Sequence, residues 1–118
     1  MIESMSDRAA IYQSKITGTL PDVGYKVNGV KFDGYDGSRG VLLDAKGPGY
    51  ATFVDANGNF RPWYRGSDSL LDQAARQMGA APNTPIEWNV AEAKAAKVIQ
   101  RLLIDNGYNR IKVMFTPK

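Results

Sequence analysis

Asp33, Asp44 and Lys46 are the residues whose types and spacing could do chemistry. Asp44 and Lys46 lie two apart in Val41-Leu42-Leu43-Asp44-Ala45-Lys46, a run that reads as a strand. Residues two apart share a strand face, so Asp44 and Lys46 point one way while Leu43 and Ala45 point the other, into the core. Asp36-Gly37-Ser38-Arg39-Gly40 reads as a turn, and pairing centred on it sets Asp33 opposite Asp44. Facing carboxylates repel unless a cation lies between them. A hard divalent cation would resolve the conflict, with oxygen ligands from Asp33 and Asp44 and a third from the Ala45 carbonyl. Lys46 would then orient or deprotonate a water, or stabilise charge on a phosphate. From the residues alone, a solvated hairpin with an incidental salt bridge fits about as well.

Two missing residue types narrow the choice. The chain of 118 residues holds no histidine and no cysteine. This excludes disulfides, thiolate nucleophiles, Ser-His-Asp triads and Cys- or His-ligated zinc. An enzyme of this composition must work with carboxylates, lysine or tyrosine, and a metal in it should be magnesium, manganese or calcium. The formal net charge is +3, unevenly spread: residues 1–60 carry a net −1 and residues 61–118 a net +4. A basic second half beside an acidic cluster suits an anionic partner.

The elements that must hold these residues read as one domain. Asp7 to Ile16 forms a short helix, with Ser6 or Asp7 as its cap and Gly18 and Pro21 as its stop. Tyr25-Lys26-Val27 and Val30-Lys31-Phe32 form a hairpin about Asn28-Gly29. Tyr50 to Val54 continues as a strand after Gly47-Pro48-Gly49, which lacks the spacing of a phosphate loop. Ser67 to Met78 is a helix with Leu70, Leu71, Ala74, Ala75 and Met78 inward and Gly79 as its stop. Asn89 and Glu92 cap a longer helix whose buried stripe is Ala91, Ala95, Val98, Ile99, Leu102 and Leu103. Ile111 to Phe115 is the last strand. The order is helix, three or four strands, two helices, strand: an α+β or α/β sandwich built around a meander. No apolar run reaches the roughly 20 residues of a membrane span. Met1 to Arg8 has no signal-peptide core, and the chain reads as a module cut from something longer.

Other residues could meet nucleic acid. Gln73 and Gln77 lie one helical turn apart with Arg76 between them. Lys94, Lys97 and Arg101 run along one side of the longer helix, where they could meet phosphates or simply form a solvated face. Trp63-Tyr64-Arg65 mixes aromatic and basic character, although Trp63 reads better as a core or edge aromatic, and Trp88 reads as core.

Aspartate, then Asp-x-Lys on a hairpin after a helix, resembles the PD-(D/E)xK nucleases. More specifically, the chain resembles the restriction-endonuclease-fold toxin 5 family of bacterial polymorphic toxins. The most specific stretch is Asp44-Ala45-Lys46-Gly47-Pro48-Gly49-Tyr50-Ala51. It is supported by Val30 to Asp36, Gln73 to Gln77, Pro85-Ile86-Glu87-Trp88 and Val113 to Pro117. The resemblance runs from about Ile11 to Pro117. It implies a restriction-endonuclease-like core, with a mixed sheet containing an antiparallel hairpin meander and flanked by helices. It also implies a magnesium- or manganese-dependent nuclease, with DNA favoured over RNA, at the C-terminus of a larger secreted effector delivered into a competitor's cytoplasm. The producer would be guarded by a cognate immunity protein, which the basic half predicts to be acidic. Carried over by position, Asp33 and Asp44 are the acids, Lys46 the lysine and Gln73 the glutamine that helps hold the site. Arg76, Gln77, Lys94 and Lys97 are then expected nucleic-acid contacts. Asp44 stands where the family often has Glu, and Asp36 or Glu3 could also join the site. The second reading is a non-catalytic module of the same fold that binds nucleic acid or protein.

Overall fold

The computed structural model describes residues 7–20 and 23–118. Glu3, Ser6 and Pro21 lie outside the described residues. The element order is helix α1 (Asp7–Thr17), strands β1 (Tyr25–Val27), β2 (Val30–Phe32), β3 (Gly34–Asp36) and β4 (Val41–Lys46), a 3₁₀ turn (Tyr50–Phe53), helix α2 (Gly66–Ala80), strand β5 (Ile86–Val90), helix α3 (Ala93–Asp105) and strand β6 (Ile111–Phe115).

Strands β1 and β2 form the expected hairpin. Asn28 and Gly29 take φ of 50° and 83°, the left-handed pair that a tight hairpin turn needs. The main sheet has the order β3-β4-β5-β6, antiparallel between β3 and β4 and parallel elsewhere. A mixed sheet with an antiparallel hairpin and flanking helices is thus present, but most of it is not a meander. Strand β5 lies between the two long helices, so α2 and α3 each serve as a crossover between parallel neighbours.

Strand β5 corrects the expected element order. Asn89 is not a helix cap; it sits inside Ile86–Val90, every residue of which is buried. Ile86, Trp88 and Val90 belong to the main core cluster. Glu87 and Asn89, on the other face, are joined by a 3.2 Å hydrogen bond, and Asn89 also accepts one from the Thr116 hydroxyl at 2.8 Å. Polar residues in alternation disguise a strand covered on both faces.

The register aligns Leu42, Asp44 and Lys46 of β4 with Ile86, Trp88 and Val90 of β5. The face bearing Asp44 and Lys46 therefore lines the main core, with Leu42, rather than an open strand surface. Leu43 and Ala45 point to the opposite face, where α1 packs against β4. There the Tyr12 hydroxyl donates to the Thr116 carbonyl at 2.6 Å and ties α1 to the end of β6.

Two more expectations change. Residues 50–53 form a 3₁₀ turn instead of a strand because Gly49, at φ 124°, leaves the extended region. A Glu92 carboxylate oxygen then accepts the Gly49 and Ala51 amides at 3.1 and 2.8 Å. Helix α2 runs through Gly79 to Ala80, and its buried residues are Leu70, Ala74, Gln77 and Ala80, with Ala75 exposed. Among the described residues no helix is long and apolar enough to cross a membrane.

Candidate active site

Strand β3 begins at Gly34, paired with Leu43, and its ladder extends one residue back through the Asp33 amide, which donates to the Leu43 carbonyl at 3.0 Å. This sets Asp33 across from Asp44, as the turn geometry requires. Asp33 Oδ2 accepts the Ala45 amide at 2.8 Å. Asp33 is half-buried, whereas Asp44 and Lys46 are only 2% and 5% exposed.

Lys46 Nζ donates to Asp44 Oδ2 at 2.5 Å and also to Gln73 Oε1. Gln73 Nε2 donates back to Asp44 Oδ2 at 3.3 Å, closing a three-residue ring. Gln77 Nε2 reaches Asp44 Oδ1 at 3.5 Å, a long contact, and Trp88 Nε1 donates to Gln77 Oε1 at 2.8 Å. The Lys46 ammonium also lies 4.4 Å from the centre of the Trp88 ring, within cation–π range. The sequence supplies this arrangement through two periods: two residues along β4 and four along α2 bring Asp44, Lys46, Gln73 and Gln77 to one place.

Electrostatics follow from this packing. Burial, then the charge of Asp44, push the Asp33 carboxyl up to about 7, against the opposing pull of the Ala45 amide. Burial works against the Lys46 ammonium, but the attraction of Asp44, with help from Tyr50, Asp44's hydrogen bond and Asp33, holds its pKa above the ordinary lysine value. The site thus holds one firm cation and two carboxyl groups that resist being ionised together.

This donor set fits a hard divalent cation. Asp33 and Asp44 provide facing carboxylate oxygens whose mutual repulsion a cation would relieve. Leu42 donates its amide to Pro85 and Lys46 accepts from Ala91, so even-numbered residues of β4 direct their backbone to β5. By alternation the Ala45 carbonyl faces the Asp33 side, where a third oxygen is needed. Among the described residues no group of three or more acidic side chains is placed to hold a metal ion, so Asp33 and Asp44 would need backbone or water oxygens to complete a shell.

Asp33 and Asp44 open into a cleft of about 270 Å³ lined also by Val30, Lys31, Gln73 and Arg76. Arg76 is therefore at the site, held at 3.1 Å by Asp72. Lys31 was not among the expected residues. Its signal was available: a hairpin that must carry Asp33 to β4 also carries the side chain two residues earlier.

Other expected residues lie elsewhere. Gln77 is fully buried between Asp44 and Trp88, so it cannot meet nucleic acid. Lys94 and Lys97 are exposed on α3 and do not line the cleft. Lys94 instead faces Asp55, whose carboxyl is held below its ordinary range by the Asn59 and Asn57 amides and, more weakly, by Arg61 and Lys94. Asp36 does not join Asp33. It accepts the Ser38 amide and hydroxyl at 3.1 and 2.7 Å and Arg39 Nε at 2.7 Å, contacts that lower its pKa to about 2. Arg39 also bridges to Glu87 at 3.1 and 3.3 Å. Trp88 is core as expected, but Trp63 is 65% exposed.

The model of the restriction endonuclease fold toxin 5 family matches residues 9–93. The chain belongs to this family and is a toxin domain of the nuclease class. The match takes in α1 from residue 9 onward, the carboxylate hairpin, α2 and β5, and it ends at residue 93, so the likeness expected over α3 and β6 to Pro117 lies beyond it. Comparison with curated proteins finds no match.

Proposed function

We propose that the domain is a divalent-metal-dependent phosphodiesterase that cuts nucleic acid, with DNA the favoured substrate. The observation that carries this reading is the convergence of Asp33 and Asp44, with Lys46 fixed between Asp44 and Gln73. Asp33, Asp44 and the Ala45 carbonyl would hold magnesium or manganese, which when bound supplies Lewis-acid chemistry to the phosphate and activates water.

The side chains have separable parts to play. Lys46 presents a fixed positive charge to the phosphoryl group, where negative charge builds in the transition state. Gln73 holds Lys46 and Asp44 in one arrangement, so neither has to be reorganised as charge develops. Lys31 and Arg76 give the phosphate backbone cationic partners at the cleft mouth. Family membership supports the wider biology: carriage in a larger effector, delivery into a target cell's cytoplasm, and inhibition in the producer by an acidic immunity protein over this cleft.

The test is nicking of supercoiled plasmid by the purified domain in magnesium, in manganese and in chelator. Wild type should nick only with metal, and Asp44→Asn should not nick. Undiminished nicking in excess chelator would overturn the metal reading, and no cleavage of either DNA or RNA would overturn the nuclease reading.

A further inference from the structure

A second cavity shares no lining residue with the carboxylate cleft. It has a volume of about 410 Å³ and is lined by Arg8, Pro48, Gly49, Tyr50, Thr52, Phe53 and Tyr64. The reaction proposed above uses none of these residues. The rings are already organised. Phe53 and Tyr64 stack with centroids 4.2 Å apart and planes 14° from parallel. Trp63 meets the Phe53 ring edge-on at 6.0 Å and leaves most of its indole in solvent. An exposed indole edge-on to a stacked ring pair offers a flat apolar surface that a base can cover.

The backbone keeps this arrangement open. A Cβ on Gly66 would lie 2.0 Å from the Tyr64 ring, so the start of α2 accepts that ring only because residue 66 has no side chain. Glu92 fixes the 3₁₀ turn that carries Tyr50 and Phe53. Arg61 and Arg65 flank Trp63 and Tyr64 in sequence, adding positive charge to Arg8.

Tyr50 connects the cavity with the surroundings of Lys46. Tyr50 follows Lys46 by four residues, which limits their Cα separation to roughly 14 Å. Its hydroxyl is near enough to act on the Lys46 charge. A strand whose reacting phosphate lay in the cleft over Asp33 and Asp44 could set a nearby base here.

We infer that the cavity of Arg8, Tyr50, Phe53 and Tyr64, with Trp63 at its rim, is a stacking subsite for the base of an unpaired nucleotide next to the cut. The rings give sequence-tolerant stacking and the arginines meet the backbone. Paired bases in an intact duplex cannot enter, so the domain grips single-stranded or locally opened substrate. This placement of the cut rests on the phosphodiesterase reading; binding to the subsite is measured without it.

The test titrates short oligothymidylate and oligouridylate, the same oligonucleotides with an abasic residue at each position in turn, and a matched duplex, all in chelator. Anisotropy of a dye on the oligonucleotide end reports binding in the wild type and in every variant. Wild type should bind the single strands more tightly than the duplex, and one abasic position should weaken binding roughly 5- to 100-fold, the range of a lost base stack. Trp63→Ala and Gly66→Ala should lose a similar factor and become insensitive to the abasic position. Circular dichroism and a thermal melt establish that each variant is folded. The proposal is overturned if abasic and intact strands bind wild type alike, or if folded Trp63→Ala and Gly66→Ala both keep wild-type affinity and abasic sensitivity. Base-sensitive binding without cleavage in magnesium would instead overturn the nuclease reading and leave the subsite standing. Equal response to DNA and RNA strands would locate recognition in the base; preference for one would add a contact to the sugar.

Discussion

The Trp88 indole donates to Gln77 Oε1 at 2.8 Å while the same amide's nitrogen faces Asp44 Oδ1 at 3.5 Å. One buried glutamine therefore links the centre of β5 to the acid on β4. Its orientation follows from both ends: the indole can only donate and the carboxylate can only accept. Gln77→Leu removes both contacts and strands the indole N–H. It should cost about 1–3 kcal/mol of stability and lower cleavage by freeing Asp44 to turn. Denaturant unfolding beside plasmid nicking checks this. Unchanged stability would mean the amide is incidental.

Asp33 makes stability depend on pH, and the sign is opposite to that of a salt-bridged acid. Its carboxyl titrates at about 7 when folded, against 3.8 for an ordinary aspartate. Between those values the folded form binds more protons than the unfolded one. Stability should therefore fall as pH rises from about 4 to about 7, by at most a few kcal/mol, and then level off with respect to this group. A ligand cation favours the ionised carboxylates, so magnesium should flatten the decline. Thermal melts across this range, with and without magnesium, test it, and Asp33→Asn should remove the slope.

Asp44 and Lys46 form a buried ion pair, and cutting one partner leaves the other exposed to the penalty of burial. Asp44→Asn should abolish cleavage and also destabilise the fold, by about 3 kcal/mol, less whatever Asp33 offsets by ionising. The double change Asp44→Asn with Lys46→Met should recover much of that loss. Urea midpoints for the wild type, both single variants and the double variant measure the coupling.

Lys46→Ala should lower the rate at saturating substrate at least about 100-fold, as removal of a group that stabilises transition-state charge commonly does. Nucleic-acid affinity in chelator should change little, because Lys46 is buried behind Asp44. A parallel loss of affinity and rate would instead make Lys46 a phosphate contact.

Gln73→Ala should reduce cleavage about 10- to 100-fold and loosen Lys46. Arg76→Ala should behave differently, weakening binding evenly across sequences and reducing its salt dependence by about one ion. Filter binding at several salt concentrations separates the two.

The local signals in the sequence were good guides where one strong preference acted alone. Asn28-Gly29 turned where expected, the Asp36–Gly40 turn paired Asp33 with Asp44, and spacing of two put Asp44 and Lys46 together. What failed was the reading of burial. Glu87 and Asn89 concealed β5, because the polar groups that balance them, Arg39 and Thr116, come from distant parts of the chain. Without β5 there was no reason to turn Asp44 and Lys46 toward the core. Ser67 to Met78 likewise gave a helix but not the inward turn of Gln77, whose partners are Asp44 and Trp88. Ile86, Trp88 and Val90 at a spacing of two after Pro85 were the available sign of a strand.

Trp88 also sets an order of events during synthesis. Asp33, Asp44, Lys46, Gln73 and Gln77 all precede it in the chain, yet Gln77 is oriented and Lys46 covered only once β5 has joined β4. The last closure comes later still, because the bond from Tyr12 to Thr116 spans 104 residues and must wait for β6. The segment from α1 to β6 must therefore be made before the reacting groups are fixed, and fragments that stop before Trp88 carry both acids and the lysine without the frame that aligns them. For a domain of a nuclease toxin family, lateness is a form of timing: the nascent chain is the form in which the reacting groups are least aligned.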